Sequence, residues 1–127
     1  MALVIDLKAG ERVIIGEAVV TNGPQRATLN IEGDVPILRE KDILRPEEAT
    51  TPCKRLYLAV QIMYVTGKAT PLHEAYFQLA REIQFAAPST IEMILEINQN
   101  IIAGSYYRAL KAAKRLVQYE AELTGHV

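Results

Sequence analysis

A single cysteine, two histidines and no tryptophan leave this 127-residue chain short of the side chains that catalysis and metal binding draw on. With Cys53 alone, no intrachain disulfide can form, and a reducing, cytoplasmic setting fits best. One turn into a predicted helix, Cys53 reads as a small buried apolar residue and not as a nucleophile. His73 and His126 are isolated, and no His-x3-His or Cys-x2-Cys spacing occurs, so the ligands for a metal are missing and no cofactor is implied. There is no G-x-S-x-G and no phosphate-binding loop; Gly10, Gly16, Gly23 and Gly33 are spaced as turn residues. The carboxylate pairs Glu47-Glu48 and Glu92 with Glu96 fit a linker and a solvated helix face. No apolar run approaches the ~20 residues that cross a bilayer, and no basic stretch followed by an apolar one opens the chain. No residue is put forward as catalytic, and an enzyme is not expected. Function is to be sought in surfaces.

What is present is a change of rhythm near Thr50-Thr51-Pro52. Before it, apolar residues come in short β-branched runs cut by Gly, Asn and Pro; after it, they recur every three or four residues. The fold class is therefore α+β, with a small antiparallel barrel or curled sheet over residues 1–46 followed by a bundle of three or four helices over 47–127. Strands are predicted at 2–7, 12–15, 17–20, 26–31 and 35–38. Gly16 marks a bulge or tight bend, and Asn22-Gly23 is the strongest hairpin signal, with Pro24 beside it. In the fourth strand Ala27, Leu29 and Ile31 share one face.

Thr51 suits a helix N-cap and Pro52 the first helical position, and Gly67 closes that helix. Its apolar side is Leu56, Ala59, Val60 and Met63. Thr70-Pro71 opens a second helix with Leu72, Ala75, Tyr76, Leu79 and Ile83. Ser89-Thr90-Ile91-Glu92 has the form of a capping box, opening a third with Ile91, Ile94, Leu95 and Ile101. A last helix from about Ser105 to Leu123 carries Tyr107, Leu110, Ala113, Val117 and Ala121. A sheet this small is marginal alone, so it needs the helical half or a second copy of the chain; a homodimer stays open.

The net charge of -1 announces no partner by itself, but it is unevenly spread. Residues 1–49 hold nine acids against six bases, and residues 50–127 six against eight. Two basic features stand out. Arg39-Glu40-Lys41 lies at the exit of the last strand. Arg108, Lys111, Lys114 and Arg115 lie on the final helix, where Arg108, Lys111 and Arg115 fall within about sixty degrees of one another. No acid interrupts the stretch from Ser105 to Tyr119, and Tyr106 and Tyr107 at its start offer rings on which unpaired bases could stack. Cations in this part of a helix also complement its dipole without binding anything.

The strings Asp6-Leu7-Lys8-Ala9-Gly10-Glu11, Leu38-Arg39-Glu40-Lys41-Asp42-Ile43, Glu48-Ala49-Thr50-Thr51-Pro52, Tyr57 through Tyr64 and Gly104 through Lys111 resemble the FlbT family of bacterial flagellum regulators across nearly the whole chain. The resemblance implies post-transcriptional repression of flagellin synthesis. The protein would bind the 5′ untranslated region of flagellin mRNA and promote its decay, alongside a small partner protein of FlaF type; in some members the net effect on flagella is activating. The strand half alone is similar to the CsrA family of mRNA-binding regulators, through Lys8 to Gly16, Gly23-Pro24-Gln25 and Arg39 to Ile43. That likeness matches Arg39 to an RNA-contacting arginine and Ile5 to an apolar first-strand contact. Leu7 stands where that family has a second RNA-facing arginine, and the middle of the sheet is shorter. The RNA-binding set expected from all of this is Lys8, Arg39, Lys41, Arg108, Lys111, Lys114 and Arg115, with Tyr106 and Tyr107 as stacking residues. The alternative is a flagellar adaptor or chaperone that docks a protein on the helical half.

Overall fold

In the computed structural model, residues 2–125 are described, leaving out the side chain of Ala2; His126 lies outside them. The chain divides into two compact units, residues 1–43 and 44–127.

Unit 1 holds five strands: β1 (Ala2–Leu7), β2 (Arg12–Ile15), β3 (Ala18–Thr21), β4 (Ala27–Glu32) and β5 (Ile37–Arg39). They form two separate antiparallel sheets, β1-β4 and β3-β2-β5. The expected barrel is not closed. Closure requires every strand to be bonded on both sides, and here only β2 has two neighbours. The sheets instead share an apolar centre. Ile5 and Leu7 from β1 and Val13 from β2 are buried, with Ile15, Val20, Leu29, Ile31 and Ile37 packed partly around them. Ala27, Leu29 and Ile31 do face one way, and their β4 neighbours Thr28, Asn30 and Glu32 are exposed. Ile5, matched by likeness to an RNA contact, is core at 2% exposure and is not available to a ligand.

The hairpin lies elsewhere than the Asn22-Gly23 signal suggests. Ile15 pairs with Ala18, so Gly16-Glu17 is a two-residue turn between β2 and β3. Gly16 has φ +61° and no described non-glycine residue has positive φ, which is the type II′ pattern with glycine at the first central position. Asn22 instead anchors a wide loop that carries the chain from one sheet to the other. Its amide donates to the carbonyls of Leu7 (3.3 Å), Lys8 (2.8 Å) and Gln25 (2.9 Å), and its Oδ1 accepts the Gly23 N–H. The Gly10 N–H donates to the Gly23 carbonyl at 3.0 Å and the Asn22 N–H to that of Glu11 at 2.8 Å. The 8–11 turn and the 22–25 loop are thereby stitched together.

Unit 2 contains four α-helices: α1 (Pro52–Thr66), α2 (His73–Ala86), α3 (Ile91–Ile102) and α4 (Tyr106–Leu123), with short 3-10 turns before α1, α2 and α3. α1 packs on α2 and α4, and α4 packs on α3. Its centre includes Leu56, Val60, Met63, Tyr76, Ile94, Ile97 and Leu116, all fully buried. Thr51 caps α1 by accepting the Lys54 N–H at 3.2 Å, and Gly67 ends it in the left-handed region at φ +72°. Before α1, the Gln61 amide holds the backbone of Leu44 from both sides, accepting its N–H at 2.8 Å and donating to its carbonyl at 3.1 Å. No described helix is long and apolar enough to cross a membrane.

Three expectations for the helices change. Ser89 does not form a capping box, because it lies inside the 3-10 turn Pro88–Thr90 and Thr90 is the residue that precedes α3; the Ser89 hydroxyl accepts from that of Tyr119, and the buried Thr90 hydroxyl donates back to the Ala87 carbonyl. Ala75 is exposed and Ala80 takes its place in the core. On α3 the core stripe is Ile94, Ile97 and Ile101, whereas Ile91 and Leu95 are exposed.

Candidate nucleic-acid interface

The outward face of β1 and the exit of β5 border an open groove of about 730 Å³ in unit 1. Alternation along β1 puts Val4, Asp6 and Lys8 on its wall, since Ile5 and Leu7 point into the core. β5 and the turn after it contribute Arg39, Glu40 and Lys41. The stitched loop brings in Arg26, which directly precedes β4. Lys8, Arg39 and Lys41 are thus gathered on one surface, and Arg26 joins them although sequence spacing had not suggested it. The available signal was Asn22, whose short polar side chain is suited to tying a loop to neighbouring carbonyls.

The carboxylates in this groove are largely engaged. Glu11 Oε1 accepts the Lys8 backbone N–H at 2.8 Å, and Asp6 Oδ1 accepts the Thr28 hydroxyl at 2.8 Å. Glu40 accepts the Arg12 N–H at 3.2 Å and pairs with the Arg12 guanidinium at 3.5 Å. Arg39 Nη2 donates to the Asp6 carbonyl at 2.8 Å, bonding β5 to β1 across the two sheets, and Arg39 is itself exposed. Among the described residues, the charged ends of Lys8, Arg26 and Lys41 have no ion-pair partner. Four cations stand against three carboxylates, of which Glu40 alone is paired with a further cation, Arg12, so this exposed surface carries a small positive excess.

The cations of α4, within unit 2, are differently placed. Arg115 pairs with Glu96 of α3, an acid nineteen residues away that no reading of the helix alone would bring in. Lys111 Nζ stands 5.1 Å from the centroid of the Tyr107 ring, and Tyr107 in turn lies 5.5 Å from Tyr64. Lys114 is half-buried, and Arg108 is exposed. Tyr106, Tyr107, Arg108 and Tyr64 line a depression at the start of α4. A base stacking on Tyr107 would compete with a cation–π contact worth about 0.5–1 kcal/mol at an exposed site. The strip is therefore a weaker attractor than its uninterrupted run of bases suggests.

Residues 3–124 match the family described as flagellar protein FlbT. The chain is 52% identical to the probable flagellum biosynthesis repressor protein FlbT 1 of Bradyrhizobium diazoefficiens, over 98% of this chain and 86% of that relative. It is 43% identical to a probable flagellum biosynthesis repressor protein FlbT of Rhodopseudomonas palustris, over 97% of this chain and 98% of the relative. It is 34% identical to the flagellum biosynthesis repressor protein FlbT of Caulobacter vibrioides, over 100% of this chain and 92% of the relative. No solved structure matches the chain.

Proposed function

This chain belongs to the FlbT family of flagellar proteins, and on that premise we propose that it represses flagellum biosynthesis after transcription, by binding the 5′ untranslated region of flagellin mRNA and promoting its decay. The observation that carries the RNA step is the groove of unit 1, where Lys8, Arg26, Arg39 and Lys41 present positive charge beside carboxylates already engaged. Phosphates of a single-stranded leader would sit against these cations, releasing counterions. The test is a gel-shift titration of a flagellin leader at several salt concentrations. Lys8→Ala with Lys41→Ala weakens binding, because both side chains stand free of structural bonds. An unchanged affinity removes the groove from the site.

A second reading, docking of a protein such as a FlaF-like partner on unit 2, has one observation in its favour. Ile91, Leu95 and Ile102 are 42%, 49% and 76% exposed and fall within about forty degrees on α3. Leu95→Asp abolishes copurification of a flagellar partner under this reading and leaves leader binding unchanged.

A further inference from the structure

Among the described residues, β4 is bonded to β1 alone, and the sheet they form has only these two strands. A two-stranded sheet is marginal in water, and further strands secure it. The unbonded side of β4 follows from β1. The Asp6 carbonyl accepts from the Arg39 guanidinium and the Lys8 N–H donates to the Glu11 carboxylate, so at these alternate positions β1 turns its backbone groups away from β4. The hydrogen-bonded pairs are therefore Leu3 with Ile31, Ile5 with Leu29 and Leu7 with Ala27. Thr28, Asn30 and Glu32 direct their N–H and C=O groups outward, along the free edge. Sheet edges are commonly blunted by proline, lysine or a bulge. Ala27–Glu32 contains no proline, glycine or lysine and pairs with β1 in unbroken register.

We propose that this edge pairs with the same edge of a second copy of the chain, antiparallel, about a two-fold axis at Asn30. Asn30 then stands opposite Asn30 of the second copy and Thr28 opposite its Glu32, giving about six main-chain hydrogen bonds. On the inner face, Leu29 and Ile31 are only partly buried within unit 1. This register sets each of them against the other in the second copy and extends the apolar layer across the axis. The charges fit as well. Glu32 meets Thr28 and not another acid. Arg26 and Asp34 are exposed, have no ion-pair partner among the described residues, and lie four residues to either side of Asn30. Each end of the pairing thus brings Arg26 of one copy toward Asp34 of the other. Moving the axis to Thr28 would put Leu29 against Ala27 and lose the charge match. So short a strand pairing covers less than the ~1,200 Å² of stable interfaces, and the association is reversible, with a dissociation constant of about micromolar or weaker.

Sedimentation velocity of the full chain between ~1 and ~300 µM spans that range and tests the pairing. The mean mass rises with concentration toward twice that of one chain. Asn30→Pro removes an N–H that serves no bond within one copy, at an edge position where proline is tolerated. That variant stays monomeric throughout and keeps the wild-type circular dichroism spectrum. Asn30 is also the one residue of β4 that stands opposite itself. Asn30→Cys therefore gives a disulfide-linked dimer under diamide and Thr28→Cys does not, while the buried Cys53 contributes to neither. A wild type that is monomeric at every concentration overturns the proposal, as does a dimer that survives Asn30→Pro. Equal crosslinking at positions 28 and 30 overturns it too, and this readout decides alone if Asn30→Pro does not fold. None of these measurements involves RNA, so the RNA reading is judged separately.

Discussion

Glu120 reaches from α4 to the first turn of α1, where one carboxylate oxygen accepts the Thr51 hydroxyl and the other the Cys53 N–H at 3.2 Å. A negative charge at that helix end is favourable, and it also bears on the thiol. Burial first, and then the charge and hydrogen bond of Glu120, push Cys53 from 9.0 up to about 12. The thiol stays protonated at neutral pH, so native protein at pH 8 resists iodoacetamide and reacts only in urea. The stability linked to Cys53 is fully present below pH 9.0 and is lost as pH rises toward about 12, because the unfolded chain releases that proton first. Unfolding midpoints measured across this window for wild type and Cys53→Ala check the sign: the variant loses less. Gln61 supports a second prediction at this scale. Gln61→Ala strips the N–H and carbonyl of Leu44 of their partners, at a cost of about 1–3 kcal/mol read from urea denaturation. Spacing could not have marked either role. Gln61 and Glu120 look like any polar residue on a helix, and their partners are remote in the chain.

Among the elements, those whose ends rest on local chemistry were the most legible. α1 begins at Thr51-Pro52 and ends at Gly67 because a hydroxyl cap, a proline without an N–H and a left-handed glycine each act within one turn. β1 and β2 follow from runs of β-branched and aliphatic residues. The capping box before α3 was misleading, since the chain enters that helix through a 3-10 turn that contains Ser89 and puts Thr90 next to the helix. Asn22-Gly23 misled as well: Asn22 holds a wide loop, bonding both within it and to the 8–11 turn, and closes no two-residue hairpin. Gly16 is where a turn requires positive φ, and a Cβ there would meet nothing within 4 Å, so a substitution acts through backbone conformation alone. Gly16→Val therefore costs about 1–2 kcal/mol, visible as a lowered thermal midpoint, whereas Gly23→Ala, with no positive φ to maintain, is close to neutral.

For the whole molecule, a net charge of -1 means that attraction to RNA rests on local clusters. Four groove cations would neutralise at most four phosphates, giving a slope of log affinity against log salt no steeper than about -3 for a single strand. A markedly steeper slope would bring the α4 cations into the site as well. The α+β class and the helical half came from the order of residues, because periodicity and capping reflect neighbours on the same stretch of backbone; Arg39 and Lys41 came from a local charge cluster, and Lys8 from the resemblance of its string to known families. Folding in three dimensions settled the rest: which sheet each strand joins, the arrival of Arg26 beside Lys8, the pairing of Arg115 with Glu96, and the burial of Ile5. Each of these joins groups far apart along the chain, and what selects their partners is the shared need to cover apolar surface and satisfy polar groups, which spacing does not encode.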